Sequence, residues 1–187
     1  LAALFIIVGQ FKSEPAKQTE LFELYLAHTG PVGMQLIPAR ARNKWKTRQA
    51  FYGVNNWDLV DSSAGYIVGV YLQDRPEKME VLRALARSDQ LWEKRIAMIA
   101  TLAYIVQGHP DEALDIAEML LHDNHDLIQK AVGWMLREVG KRCDREVLVL
   151  FLAQHYRTMP HTALRYAIEH FDEPLRKAYL KGTIETL

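Results

Sequence analysis

Apolar side chains make up 49% of the 187 residues and charged ones 25%, enough hydrophobic material for one domain or a short repeat array. Lys+Arg and Asp+Glu balance at 23 each, so any attraction to nucleic acid must come from how charge is arranged and not from its total. The single cysteine, Cys143, excludes an internal disulfide and fits a reducing cytoplasm.

In chain order the signals are helical. Leu1 to Val8 is apolar, has no basic residues before it, and is followed at once by Gln10, Lys12 and Glu14. It is too short to span a membrane and reads as a core helix rather than a signal peptide. Pro15 opens a periodic stretch with Leu21, Phe22, Leu24, Tyr25 and Leu26. Gly30 to Gly53 breaks the pattern. No acid occurs between Glu23 and Asp58, and Arg40, Arg42, Lys44, Lys46 and Arg48 alternate around Trp45, so residues 30–53 read as an insertion or loop. Pro76 then opens a segment with Met79, Leu82 and Leu85. Pro110-Asp111-Glu112 puts Pro and acids in a first turn ahead of Leu114, Ala117, Met119 and Leu120. Asp144 stands as an N-cap before Val147, Leu148 and Phe151. About nine helices are expected, with no strand alternation.

The chain also repeats. Leu91 to Ile99 aligns with Leu127 to Met135 at an offset of 36, and a further step places Ala167, Ile168 and Phe171 under Ala131, Val132 and Met135. A period near 36 to 40 built from helix pairs is the signature of a HEAT-like solenoid; a plain helical bundle with chance matches is the alternative. Arg95 aligns with Ala131, and Trp134 lies three residues on, so stacked repeats would turn Arg95 and Trp134 toward one groove.

Asn55-Asn56-Trp57-Asp58-Leu59-Val60-Asp61 carries the most chemistry. Asn56 can cap a helix starting at Trp57, which puts Trp57 and Asp61 one turn apart on one face. An indole face and a carboxylate together suit a cation. The plainer alternative is a core Trp and a first-turn acid that complements the helix dipole. Lys130, Trp134, Arg137 and Lys141 run i, i+4, i+7, i+11 as one stripe, which fits a phosphate backbone better than a merely solvated face. His122 and His125 read as a turn and helix cap without a third metal ligand. Cys143 lies beside Lys141 and Arg142, which could lower its pKa, but no base accompanies it and it is taken as inert. No P-loop, dinucleotide fingerprint or nucleophile elbow is present.

Four stretches taken together resemble the DNA alkylation repair family of AlkD type: Asn55 to Asp61, Leu91 to Arg95, Ile128 to Gly140, and Met159-Pro160 with Leu164 to Ile168. They occur in family order and spacing. The resemblance covers Leu1 to His28 and Val54 to about Leu180. It implies one all-α, HEAT-like helical-repeat solenoid over 1–187, a right-handed stack of antiparallel helix pairs with a concave DNA-binding face. The resemblance implies further helices before the position of Leu1, and by it 30–53 is expected to be foreign to the pattern.

The resemblance further implies a glycosylase that excises N3- and N7-alkylated purines from double-stranded DNA. No metal or cofactor is implied, nor flipping of the base into a pocket. It assigns Asp61 as the catalytic aspartate, Trp57 and Trp134 as indoles flanking the damaged nucleotide, and Arg95 as the active-site arginine. Arg137 and Lys141 contact the backbone, with Lys130 and Arg165 as further DNA-binding cations. A soluble cytoplasmic monomer is expected. A non-catalytic DNA-structure binder and a protein-interaction solenoid are the competing functions.

Overall fold

The computed structural model describes residues 2–46 and 53–184, and among these the regular structure is helical. The chain divides into two compact units, Leu1–Ala103 and Tyr104–Leu187.

In the first unit, α1 (Ala2–Ser13) buries Ile7, Val8 and Phe11, as a core helix should, while Phe5 and Ile6 stay exposed. A 3₁₀ turn (Pro15–Lys17) leads into α2 (Gln18–Ala27), and α3 (Pro31–Leu36) and α4 (Ala39–Lys46) follow. The helix that starts at Trp57 has three parts: α5 (Trp57–Ala64), a π segment (Gly65–Gly69) and α6 (Val70–Leu72). Next come α7 (Lys78–Ala86) and α8 (Leu91–Ala100), and then α9 (Leu102–Ile105), which reaches the boundary between the units. The core of the unit runs through Leu26, Val60, Ile67, Leu82, Leu85 and Ile96, all fully buried. Each such side chain contributes about 1.5–3 kcal/mol by leaving water. Gly69 is required in this core: a Cβ there would lie 2.3 Å from the Ala100 carbonyl oxygen, so its absence lets the π segment close on α8.

The second unit holds α10 (Asp111–Leu120), α11 (Asp126–Arg142), α12 (Arg145–His155), α13 (His161–Ala167) and α14 (Glu173–Lys181). Asp144 caps α12 by accepting from the Glu146 N–H at 2.8 Å, as its position predicts. The helical segments outnumber the nine expected. One reason is that the Trp57 helix is interrupted by its π segment, and another is that Thr101 separates α8 from α9.

The repeat is visible in where helices begin. α5, α8, α11 and α13 start at Trp57, Leu91, Asp126 and His161, which are 34, 35 and 35 residues apart. Each is followed by a second helix: α7, α10, α12 and α14. The aligned sets Arg95, Ala131, Ala167 and Ile96, Val132, Ile168 are buried throughout. This all-α helical-repeat architecture agrees with the HEAT-like expectation, and it adds one repeat, the α5 unit, that the sequence alignment did not reach.

Residues 31–46 form two helices, so of the two expectations for this stretch, an insertion or a loop, the loop does not describe them. Arg40 and Arg42 of the basic alternation stand on α4, where Arg40 lies 3.8 Å from Glu23; Arg48 lies outside the described residues. The stretch leaves α2 and returns to nearly the same point, because the Val54 N–H donates to the His28 carbonyl at 2.9 Å. It is fastened to α8 by Glu93, a carboxylate with no solvent exposure. Glu93 accepts hydrogen bonds from the Gly33 N–H and the Ser88 hydroxyl. Gly30 and Gly33 make this possible, since a Cβ at Gly30 would sit 2.7 Å from the Glu93 carboxyl carbon and one at Gly33 would sit 2.4 Å from the Leu26 carbonyl oxygen.

Candidate active site and nucleic-acid interface

The first unit brings together Trp57, Asp61 and Arg95. Asn56 caps α5 as its sequence predicts, accepting from the Asp58 N–H at 3.0 Å. The cap fixes Trp57 as the first helical residue and Asp61 one turn later. The plainer reading of each residue now meets the structure. Trp57 is 55% exposed, so it is not core. Asp58, not Asp61, is the acid in the first turn. Asp61 instead meets Arg95 of α8 in a two-pronged pair: Nε donates to Oδ1 at 2.8 Å and Nη2 to Oδ2 at 2.7 Å. The guanidinium side chain is 5% exposed and the carboxylate 18%. A planar fork on a carboxylate fixes the plane of both groups. Asp61 therefore presents a carboxylate of set orientation at the edge of solvent, one helical turn from an exposed indole.

Beneath it, the Tyr25 phenol and the Ser63 hydroxyl are 2.9 Å apart in the core. Burial raises the Tyr25 hydroxyl well above the ordinary phenol range, so it is a neutral hydrogen-bonding group.

The second unit carries Lys130, Trp134, Arg137 and Lys141 on α11 and Arg165 on α13. Gly133 sets how these two helices meet. A Cβ there would lie 2.4 Å from the Ala163 carbonyl oxygen and 2.5 Å from the Tyr166 Cβ, so α13 packs directly against the turn that carries the half-buried Trp134. The basic stripe is less uniform than its sequence suggests. Lys130 is paired with Asp126 one turn back, at 2.6 Å. Arg137 is held by Glu138 at 3.3 Å and by Glu169. Glu138 is buried and also accepts from Arg142 at 2.6 Å. Burial opposes its charge, but the bonds from Arg142 and Arg137 win and hold its carboxyl below the usual range. Lys141 and Arg165 are exposed. The stripe thus combines two anchored cations with an open one, and Arg165 adds a second open cation on α13.

Other expectations resolve locally. His125 is the cap of α11, its Nδ1 accepting from the Leu127 N–H at 3.2 Å, and Asp123 shapes the turn before it. Cys143 does not follow its basic neighbours in sequence. Burial, helped by the charge of Asp111, raises its thiol, which donates to the Ile105 carbonyl at 3.5 Å. Among the described residues no helix is long and apolar enough to cross a membrane.

Sequence reasoning missed Glu93. Its signal was the pair Gly30 and Gly33, two residues without side chains near a break in the pattern.

A family model described as DNA alkylation repair enzyme matches residues 33–171, well over half of the chain. No curated protein matches it.

Proposed function

This chain belongs to the DNA alkylation repair enzyme family, and we propose on that premise that it is a DNA glycosylase acting on cationic N3- and N7-alkylated purines in duplex DNA. One observation carries the reading: Asp61, gripped at both oxygens by Arg95, lies one turn from the exposed Trp57.

Alkylation at N3 or N7 makes the purine a cationic leaving group. When the C1′–N9 bond breaks, its electron pair neutralises the base and the sugar becomes oxocarbenium-like. A carboxylate beside C1′ stabilises that charge, as in glycoside hydrolysis. Water then attacks C1′ and loses a proton, for which Asp61 is the acceptor. The products are the free alkylpurine and an abasic site. In this scheme Arg95 holds Asp61 in plane, so the carboxylate needs no reorganisation as charge develops. Trp57, and Trp134 by the family resemblance, supply indole faces to the cationic nucleotide. Lys130, Arg137, Lys141 and Arg165 are proposed to meet the phosphate backbone, with Lys141 and Arg165 the most open to it.

The second reading is a DNA binder without chemistry. It is favoured by the same pair, because a carboxylate engaged at both oxygens also serves as a structural ion pair. A base-release assay on duplex DNA carrying N7-methylguanine separates the two. Release of the free base that is lost in Asp61→Asn supports the enzyme; tight duplex binding with no release supports the binder.

A further inference from the structure

A cleft of about 290 Å³ opens in the second unit. Its lining includes Arg137, Lys141, Arg145 and His170, and no carboxylate oxygen-bearing side chain is among the described residues that line it. Gly140 favours a close approach of α12 to α11 beside the cleft, since a Cβ there would lie 2.6 Å from the Leu148 Cδ2, the far end of that side chain, and 3.1 Å from its Cβ. That approach carries Arg145, the first residue of α12, to the Arg137–Lys141 turn of α11. His170 and Phe171 arrive from the segment after α13.

The four nitrogen-bearing groups are held in different ways. Arg137 gives its Nη atoms to Glu138 and Glu169, while its buried Nε has no acceptor among the described residues. Arg145 is stacked over the Phe171 ring at 4.7 Å and is only loosely countered by Asp172 at 3.9 Å. Lys141 and His170 are exposed. The cleft therefore gathers hydrogen-bond donors on two anchored arginines and two open side chains, with an aromatic wall. Glu138, Glu169 and Asp172 take up part of the arginines' charge from outside the lining, and Lys141 with the exposed face of Arg145 supplies the pull on an anion; a tetrahedral oxyanion uses several donors at once.

We propose that this cleft is a phosphate seat for the DNA duplex, in which Arg145 and His170 join Arg137 and Lys141 on the backbone. This rests on the DNA-binding reading given above. Arg145 and His170 act by position on the phosphate, not on the lesion.

Salt-dependent binding to an undamaged duplex tests it, with fluorescence anisotropy for wild type, Arg145→Ala, Arg145→Lys and His170→Ala. Thermal unfolding of each variant checks that it is folded. Arg145→Ala should weaken binding about 3- to 10-fold and lower the slope of log affinity against log salt by about one, the value for one lost phosphate contact. Arg145→Lys should recover most of the slope, because it keeps the charge while changing the stack on Phe171. His170→Ala should weaken binding about 2- to 5-fold. If wild type binds duplex and both alanine variants keep its affinity and slope, the phosphate seat is wrong and the DNA reading survives. If wild type binds no duplex, both fall. If Arg145→Lys is as impaired as Arg145→Ala, the residue acts through its packing and the seat is again overturned.

Discussion

Arg95 reaches from α8 to α5 and holds both oxygens of Asp61, at 2.8 and 2.7 Å, so the carboxylate proposed to do the chemistry is also one half of an ion pair between two repeats. The pair makes a joint prediction for activity and stability. Asp61→Asn should reduce base release by about 100-fold or more, since it removes a charge aimed at the transition state. It should leave duplex affinity intact or improved, because the carboxylate repels phosphate. It should also lower stability by about 1.5–3 kcal/mol, the usual value of a hydrogen bond to a charged group, because Arg95 is nearly buried. Single-turnover release and denaturant unfolding read the two effects. Near wild-type release in Asp61→Asn would remove Asp61 from the mechanism.

Arg137 and Lys141 should differ in stability while agreeing in binding. Alanine at either position should weaken binding to damaged and undamaged duplexes equally and flatten the salt dependence, because phosphate contacts position a duplex without identifying a lesion. Lys141 is exposed, so its alanine variant should unfold within about 0.5 kcal/mol of wild type. Arg137 is a partner of the buried Glu138, and its loss leaves that carboxylate with Arg142 alone, at a cost of about 1–3 kcal/mol. Loss of affinity for damaged DNA only would contradict the backbone assignment.

Glu93 and Gly33 are predicted to hold the start of α3 against α8. Gly33→Ala forces a methyl to within 2.4 Å of the Leu26 carbonyl oxygen, and overpacking of this kind costs about 1–3 kcal/mol. Glu93→Ala leaves the Gly33 N–H and the Ser88 hydroxyl without their acceptor in a buried place, at about 1–3 kcal/mol each. Limited proteolysis followed by mass mapping should show faster cutting within 29–46 for both variants. Unchanged cutting and unchanged unfolding would mean that the buried carboxylate fastens nothing.

Local features of this fold could be read from the sequence where they depend on neighbours in the chain. Asn56 and Asp144 cap their helices where the residue type and position say they should, and His125 ends a turn as a cap. The period of 36 found between Leu91 and Leu127 has its counterpart in helix starts 34, 35 and 35 residues apart. What could not be read depends on which partners the fold brings up. Asp126 and Glu138 lie four residues and one residue from Lys130 and Arg137, but nothing near Arg137 says that Glu169, 32 residues on, will join them. Glu93 stands next to Lys94 and Arg95 in a charged run that gave no warning of its burial, and two of its partners lie 5 and 60 residues away. The acid-free run after Gly30, with its basic residues alternating around Trp45, reads as an insertion or loop, yet it is helical to Lys46 among the described residues, with the Glu93 bond to Gly33 helping to fasten the start of α3.

Cys143 gives a prediction about reactivity. Its sequence neighbours, Lys141 and Arg142, would favour a thiolate, but burial and Asp111 raise the thiol instead. Only the thiolate is alkylated, so iodoacetamide at pH 8 should label the folded protein several-fold more slowly than the unfolded chain. Equal rates in the two states would show that the thiol is not held by the fold.

The final prediction concerns how a lesion is recognised. Trp57 offers a largely exposed indole, and Asp61 a carboxylate with both oxygens already receiving hydrogen bonds from Arg95. Neither presents the matched donor and acceptor needed to read a base edge. What these groups can favour is positive charge, by Coulombic attraction to Asp61 and by cation–π attraction of up to about 2 kcal/mol at a desolvated indole. The chemistry selects in the same direction, because a cationic purine leaves as a neutral base while an uncharged one must leave as an anion or be protonated first. N3-methyladenine and N7-methylguanine should therefore be released, and uracil and 8-oxoguanine should stay in place. Size should matter less than charge, since selection by charge and leaving-group ability does not require the steric limit of a flipping pocket. Single-turnover release from duplexes of identical sequence, each carrying one lesion, is the measurement. Efficient release of uracil with none of N7-methylguanine would defeat the charge selection and the proposed reaction together.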